Sequence, residues 1–331
     1  MSARASSACW LLVAGLAGCG GENVVLGDGR DGGRAPGPHD AGDTRDAGDA
    51  GDAGALRDAG GARDGAIGRD ASLPIAPAFM PPRAIAEISG EDTTDDDPSL
   101  SSDRLLLYFN SRRDGGLGRE DIWFAARDDA AAPWQAPTAL PELNSDARET
   151  GIALAGDGLQ LWWSSDREGG QGGLDVYRAT RATRADAWSA PEPVAELSSP
   201  GDDLVSALSS DGAILLLARR DDEDDDYDLY GAARSPTAAF AAPEPLTELN
   251  SDDEESDGFL LGNGLQLIFT RDGDLMLAER PTRAAPFGAA VELATLNSEE
   301  DDRDAWSSDT LDYVVFSSDR TGSYLLYEAT R

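Results

Sequence analysis

Leu105-Leu106-Leu107-Tyr108-Phe109-Asn110-Ser111-Arg112-Arg113-Asp114-Gly115-Gly116, then Asp121-Ile122-Trp123, Trp134-Gln135-Ala136-Pro137 and Leu143-Asn144-Ser145, decides the fold because the chain repeats it. The second copy reads Leu161-Trp162-Trp163-Ser164-Ser165-Asp166-Arg167-Glu168-Gly169-Gly170, Asp175-Val176-Tyr177, Trp188-Ser189-Ala190-Pro191 and Leu197-Ser198-Ser199. Weaker copies carry Asp228-Leu229-Tyr230, Phe240 and Leu249-Asn250-Ser251, then Asp274-Leu275-Met276, Phe287 and Leu296-Asn297-Ser298. The last has Phe316-Ser317-Ser318-Asp319-Arg320 and Leu326-Tyr327 near the C-terminal residue, Arg331. The aromatic landmark at 134, 188, 240 and 287 recurs at spacings of 54, 52 and 47, the length of a propeller blade.

Short apolar runs punctuated by Gly, Asp, Ser and Pro, with alternation as in Leu159-Gln160-Leu161, read as strands. The second unit holds four: A around Ile152 to Ala155, B from Leu159 to Ser164, C from Asp175 to Arg181 and D from Pro193 to Leu197. The final unit stops after C. Its missing D strand lies at the other end, where Phe79-Met80-Pro81-Pro82-Arg83-Ala84-Ile85-Ala86-Glu87-Ile88-Ser89 aligns with Phe240-Ala241-Ala242-Pro243-Glu244-Pro245-Leu246-Thr247-Glu248-Leu249-Asn250. The expected fold is therefore all-β, a five-bladed β-propeller of four-stranded antiparallel blades over residues 78–331, closed by an N-terminal strand.

Upstream, Arg4 and the apolar run from Cys9 to Ala17 read as a secretory signal over residues 1–18, too short to span a membrane. It ends in Leu16-Ala17-Gly18-Cys19, which resembles the bacterial lipobox; the resemblance implies that Cys19 becomes the lipidated first residue. Residues 19–77 are a Gly, Ala, Asp and Arg linker that buries too little to order itself, a stalk about 40 Å from end to end. Gly20 after the cysteine favours the outer membrane under the enteric sorting rule, and the cell envelope is the expected location.

Composition excludes several functions. Asp and Glu number 63 against 27 Lys and Arg, a net charge of −36 that repels nucleic acid and anionic lipid, so the lipid is the only expected membrane contact. No lysine occurs, the single His39 lies in the linker, and both cysteines precede residue 20, so histidine base chemistry and thiol chemistry are absent from the repeats.

The motif of an aromatic before Ser-x-Arg-x-Gly-Gly, then Asp-apolar-aromatic, Trp-x-x-Pro and Leu-Asn-Ser resembles the WD-repeat-like propeller repeat of TolB-type periplasmic proteins and bacterial lipoproteins. The resemblance covers about residues 78–331 and implies an interaction platform without naming a partner; a protein, glycan or cell-wall component is the expected partner, and the ring is expected to be monomeric. The repeat degrades at Arg219-Arg220-Asp221 and Thr270-Arg271-Asp272, which replace the Ser-x-Arg turn.

Among individual residues, Asp121, Asp175, Asp228 and Asp274 recur before strand C and read as turn caps rather than catalytic carboxylates. Trp134, Trp188, Phe240, Phe287 and Phe79 read as packing between blades. Arg113, Arg167 and Arg320 read as ion partners of nearby carboxylates, without counterparts in the third and fourth units. The loops from D to A carry Asp95, Asp96, Asp97, Asp202, Asp203, Asp252, Asp253, Glu254, Asp301 and Asp302 and should form a negative crown; no cofactor is expected beyond weakly held calcium there. An alternative function, glycoside hydrolysis, would use Asp97, Asp257 and Asp304 at the starts of A strands.

Replacing Cys19 with Ala should abolish fatty-acid labelling and move the protein to the aqueous phase in detergent partitioning. Retention in the detergent phase would refute lipidation at this residue.

Overall fold

The computed structural model describes residues 76–90, 93–222, 225–235 and 238–331; Cys19 and the linker up to residue 75 lie outside them. Every regular element among the described residues is a β-strand. Strand β1 (Arg83–Ala84) comes first. Blade 1 is β2 (Asp95–Leu100), β3 (Leu106–Ser111), β4 (Asp121–Ala126) and β5 (Thr138–Ala139). Blade 2 is β6 (Glu149–Leu154), β7 (Gln160–Ser165), β8 (Asp175–Thr180) and β9 (Glu192–Pro193). Blade 3 is β10 (Asp202–Leu208), β11 (Ile214–Arg220), β12 (Asp228–Ala233) and β13 (Glu244–Pro245). Blade 4 is β14 (Glu255–Leu260), β15 (Gln266–Arg271), β16 (Asp274–Glu279) and β17 (Val291–Glu292). Blade 5 consists of β18 (Asp302–Ser307), β19 (Tyr313–Ser318) and β20 (Leu325–Thr330), with β1 paired antiparallel on its outer edge. The chain is thus a five-bladed propeller of four-stranded antiparallel sheets, permuted by one strand.

Two strand limits differ by more than one residue from the sequence reading. The innermost strand of blade 2 starts at Glu149, ahead of Ile152, because a charged residue that reads as loop is wholly buried there and paired. The outermost strand is two residues long, since Val194 already opens a turn closed by Leu197 N–H donating to Val194 C=O at 3.0 Å.

Five apolar clusters fill the five gaps between adjacent blades, and each receives one landmark aromatic: Phe79, Trp134, Trp188, Phe240 or Phe287. All five are buried. Trp162 meets Phe240 edge-on with ring centres 5.5 Å apart, and Tyr108 meets Trp188 likewise at 5.9 Å. Outside four of these rings a guanidinium is stacked: Arg127 over Trp134 at 4.1 Å, Arg181 over Trp188 at 4.2 Å, Arg234 over Phe240 at 4.3 Å and Arg280 over Phe287 at 4.4 Å. Each also donates through Nε to a backbone carbonyl, which fixes the stacked geometry.

The N-terminal segment closes the ring on two sides. Met80 and Ile85 N–H donate to Thr330 and Leu326 C=O at 2.8 Å each, and Phe79 N–H donates to Thr295 Oγ1 at 3.0 Å. Ile85 and Ile88 enter the cluster between blades 5 and 1 with Leu100 and Phe109. A chain lacking residues 1–90 should therefore melt far below one lacking 1–73, because it bares the edge of β20 and both clusters. Calorimetry that finds equal melting temperatures would contradict the latch.

Candidate functional site

Each innermost strand carries, as its first residue or in blade 3 its second, a carboxylate of 0% exposure: Asp95, Glu149, Asp203, Glu255 and Asp302. A buried carboxylate needs partners, and each has the same set. Arg113 reaches Asp95 at 2.6 Å, Arg167 Glu149 at 2.7 Å, Arg219 Asp203 at 2.5 Å and Arg271 Glu255 at 2.7 Å, and Arg320 pairs with Asp302. The same guanidiniums donate to Ile88, Leu143, Leu197, Leu249 and Leu296 C=O. In blades 2 to 5 the serine of the Leu-x-Ser motif adds its N–H and hydroxyl, as Ser145 does to Glu149 at 3.1 and 2.5 Å. The arginine expected to be missing from blades 3 and 4 is present. Arg219 and Arg271 sit directly opposite the acid, where blades 1, 2 and 5 have Ser111, Ser165 and Ser318 and send the arginine from two residues further on.

Two residues beyond this acid, or three in blade 3, each inner strand loses register with its neighbour, a β-bulge repeated around the ring. In three blades the bulged residue is an aspartate in the left-handed region, at φ 52° for Asp97, 53° for Asp257 and 56° for Asp304. Asp tolerates this conformation better than most residues, but three such positions still store strain. Blade 2 has Gly151 at φ 62° instead, and an added Cβ would stand 2.5 Å from Val205 C=O, so no fourth aspartate fits there. Asp97, Asp257 and Asp304 each present a carboxylate oxygen within 4.8 Å of the other two.

Walls hold these carboxylates through Oδ2. Thr150 Oγ1 and Gly151 N–H donate to Asp97 at 2.7 Å each, Ser256 Oγ donates to Asp257 at 2.7 Å, and Ser317 Oγ donates to Asp304. Asn110, in the amide orientation that satisfies its neighbours, also donates to Asp97 Oδ2 at 3.0 Å. Two cavities share the three aspartates as a common wall. One of about 310 Å³ runs past Phe259 and Trp306; the other, about 240 Å³, opens past Arg148, Arg220, Arg303, Tyr227 and Glu254.

The other acids that the sequence singles out scatter. Asp95, Asp203 and Asp302 are interior ion-pair partners, not loop ligands. Asp202 pairs with Arg220 at 2.7 Å and accepts from Leu174 N–H, Asp96 and Asp97 face the smaller cavity, and Asp252, Asp253, Glu254 and Asp301 are exposed. The expected uniform negative crown is broken for an electrostatic reason: carboxylates drawn toward the axis are matched by Arg112, Arg148, Arg220 and Arg303. Asp121 and Asp175 cap turns, accepting from Leu117 and Gly118 and from Gln171 and Gly172 N–H, whereas Asp228 and Asp274 stand across from Arg219 and Arg271 in the ladder.

No family model matches the chain, and no curated protein does. Solved structures do. An endo-arabinase from Bacteroides thetaiotaomicron aligns over 72% of this chain and 94% of its own at 13% identity, with a TM-score of 0.50. The catalytic domain of a GH62 α-L-arabinofuranosidase from Coprinopsis cinerea aligns over 78% and 98% at 12% identity, with a TM-score of 0.50. TolB from Acinetobacter baumannii aligns over 71% of this chain and 53% of its own at 12% identity, with a TM-score of 0.44. At such identities the likeness is one of fold.

Burial, with Asp304 nearby, pushes Asp96 up to about 7, and burial with mutual repulsion raises Asp97 and Asp257 well above the carboxylate range. Arg303 is partly buried, yet Asp304, Asp96 and Asp257 hold its proton more firmly than usual. Unfolded, Asp96 loses its proton near 3.8; folded, it keeps it to about 7. Between these values the native state binds more protons, so stability falls as pH rises, by up to about 1.4 kcal/mol per pH unit for one group. In metal-free buffer the melting temperature should decline from pH 5 to pH 8, and Asp96→Asn should flatten the decline. A profile that rises over this interval would contradict the assignment.

Proposed function

We propose that this chain is a lipid-anchored envelope protein that presents its propeller as a binding module for a protein, glycan or cell-wall partner. The supporting observation is the smaller cavity: arginines, carboxylates and the Tyr227 ring alternate around about 240 Å³, room for one sugar unit or the tip of one side chain. Such a wall offers donors and acceptors in every direction and one apolar face, which suits a hydroxyl-rich or mixed-charge partner. Tyr227 reaches Asp202 at 3.3 Å, and Arg220 stacks on its ring at 4.6 Å, so the lip of the cavity is preorganised. Anchoring and envelope location rest on Cys19 and the signal before it.

Hydrolysis is the second reading, favoured by the convergence of Asp97, Asp257 and Asp304 on one cavity. Glycosidases separate two carboxyl groups by about 5 to 9.5 Å to flank the scissile bond. Asp97, Asp257 and Asp304 instead occupy one repeated position on three bulges, so no pair among them is set apart as acid and nucleophile. Binding is therefore preferred. The test exposes the full chain and Tyr227→Ala to polysaccharide and peptidoglycan arrays and to aryl glycosides. Array binding reduced at least tenfold by Tyr227→Ala, with no glycoside turnover above that of Asp257→Asn, is the expected result. Turnover lost in Asp257→Asn would establish the hydrolase instead, and an empty array would refute the glycan and cell-wall partners.

A further inference from the structure

Three carboxylates from three different blades meet on the propeller axis, in a chain without lysine and beside Arg303, whose Nε lies 3.6 Å from Asp304. Hydrogen bonds from the walls reach Oδ2 in all three, which orients each group and leaves Oδ1 as its second oxygen. A fourth acid, Asp96, is 9% exposed and lines the same cavity, and its Oδ1 has no hydrogen-bond partner; the nearest cation is Arg303 Nη2 at 3.6 Å. An interior carboxylate oxygen left without a donor is costly, and it points to something else in the cavity.

We propose that the channel binds one calcium ion between Asp97, Asp257 and Asp304, the wall shared by the two cavities. Three oxygens no more than 4.8 Å apart lie at most 4.8/√3, about 2.8 Å, from a common centre. Calcium takes oxygens at about 2.3 to 2.6 Å in flexible geometry, within this limit, whereas magnesium demands a near-ideal octahedron at about 2.0 to 2.1 Å, which three side chains from separate blades do not impose. The donor set is entirely oxygen, which disfavours zinc and copper. Calcium takes six to eight ligands, and the cavities on both sides of the aspartates have room for the waters that complete its shell. The ion also supplies positive charge where Asp96, Asp97, Asp257 and Asp304 surround Arg303. Asp96, nearest to Arg303, is the outer acceptor for a bound water. The exposed acids of the loops, Asp252, Asp253 and Asp301, take no part.

The experiment uses the full chain in detergent, stripped with chelator, at 0.15 M NaCl. Flow dialysis with radioactive calcium should give one ion per chain. Calcium in about hundredfold excess over Kd should raise the melting temperature by about 5 °C or more, with magnesium far less effective. Asp257→Asn, which keeps the size of the side chain and its tolerance of left-handed backbone, should lose that rise while melting no lower than the stripped wild type; a simple packing defect would lower it. Asp252→Asn should behave as wild type. No bound calcium at this salt, several ions per chain, an equal response to magnesium, or an undiminished calcium response in Asp257→Asn would each overturn the site. None of these readouts depends on a glycan or protein partner, so partner binding can fail its own test while the ion site stands.

Discussion

A carboxylate sealed at the start of every inner strand is the constraint from which the rest of the ring follows. Taking that charge out of water is costly, and the arginine and serine donors around it recover the cost only in one arrangement. A strand slipped by one residue would turn the acid to the other face of the sheet and strand both charges. The pair thus adds little net stability yet fixes register, the turn between blades and the height of each strand on the axis. Asp97, Asp257 and Asp304 meet because each stands two residues past such an anchor, on a bulge that swings it inward.

Much of the fold was legible because propeller blades advertise themselves by spacing. The landmark aromatics, the displaced strand at Phe79 and the count of five could all be read from residue types, and the structure has each where the repeats required. Strand limits were less legible, since Glu149 and its equivalents look like loop acids until their arginines are seen. Arg219 and Arg271 look like breaks in the turn motif rather than ion partners for a related reason. A guanidinium on a long stem reaches the same carboxylate from either of two backbone positions, so a motif search that expects Ser-x-Arg misses the arginine lying directly across the ladder.

The channel was half legible. Asp97, Asp257 and Asp304 shared a position in the repeat, a signal that they lie at one level. What the sequence could not convey is distance across a ring, which depends on blade number, on Gly151 giving way to the neighbouring backbone and on the bulge. The acidic loops misled in the opposite direction: their residues look alike in composition, but Asp95, Asp96, Asp203 and Asp302 are interior while Asp252, Asp253 and Asp301 are solvated.

Borrowing an outer strand from the far end of the chain also sets a schedule for folding. Leu326 N–H is bonded to Ser89 Oγ across 237 residues, and at about 5 to 20 residues per second roughly 10 to 50 s of synthesis separate the two partners. Blades 1 to 4 can assemble from local hairpins in that interval, but the circle cannot shut. Until it does, Leu100 and Phe109 lack their cover from Ile85 and Ile88, and blade 1 offers a sticky flank to other nascent chains. The final strand is therefore a checkpoint, and only a molecule synthesised through residue 330 can bury both of its raw edges.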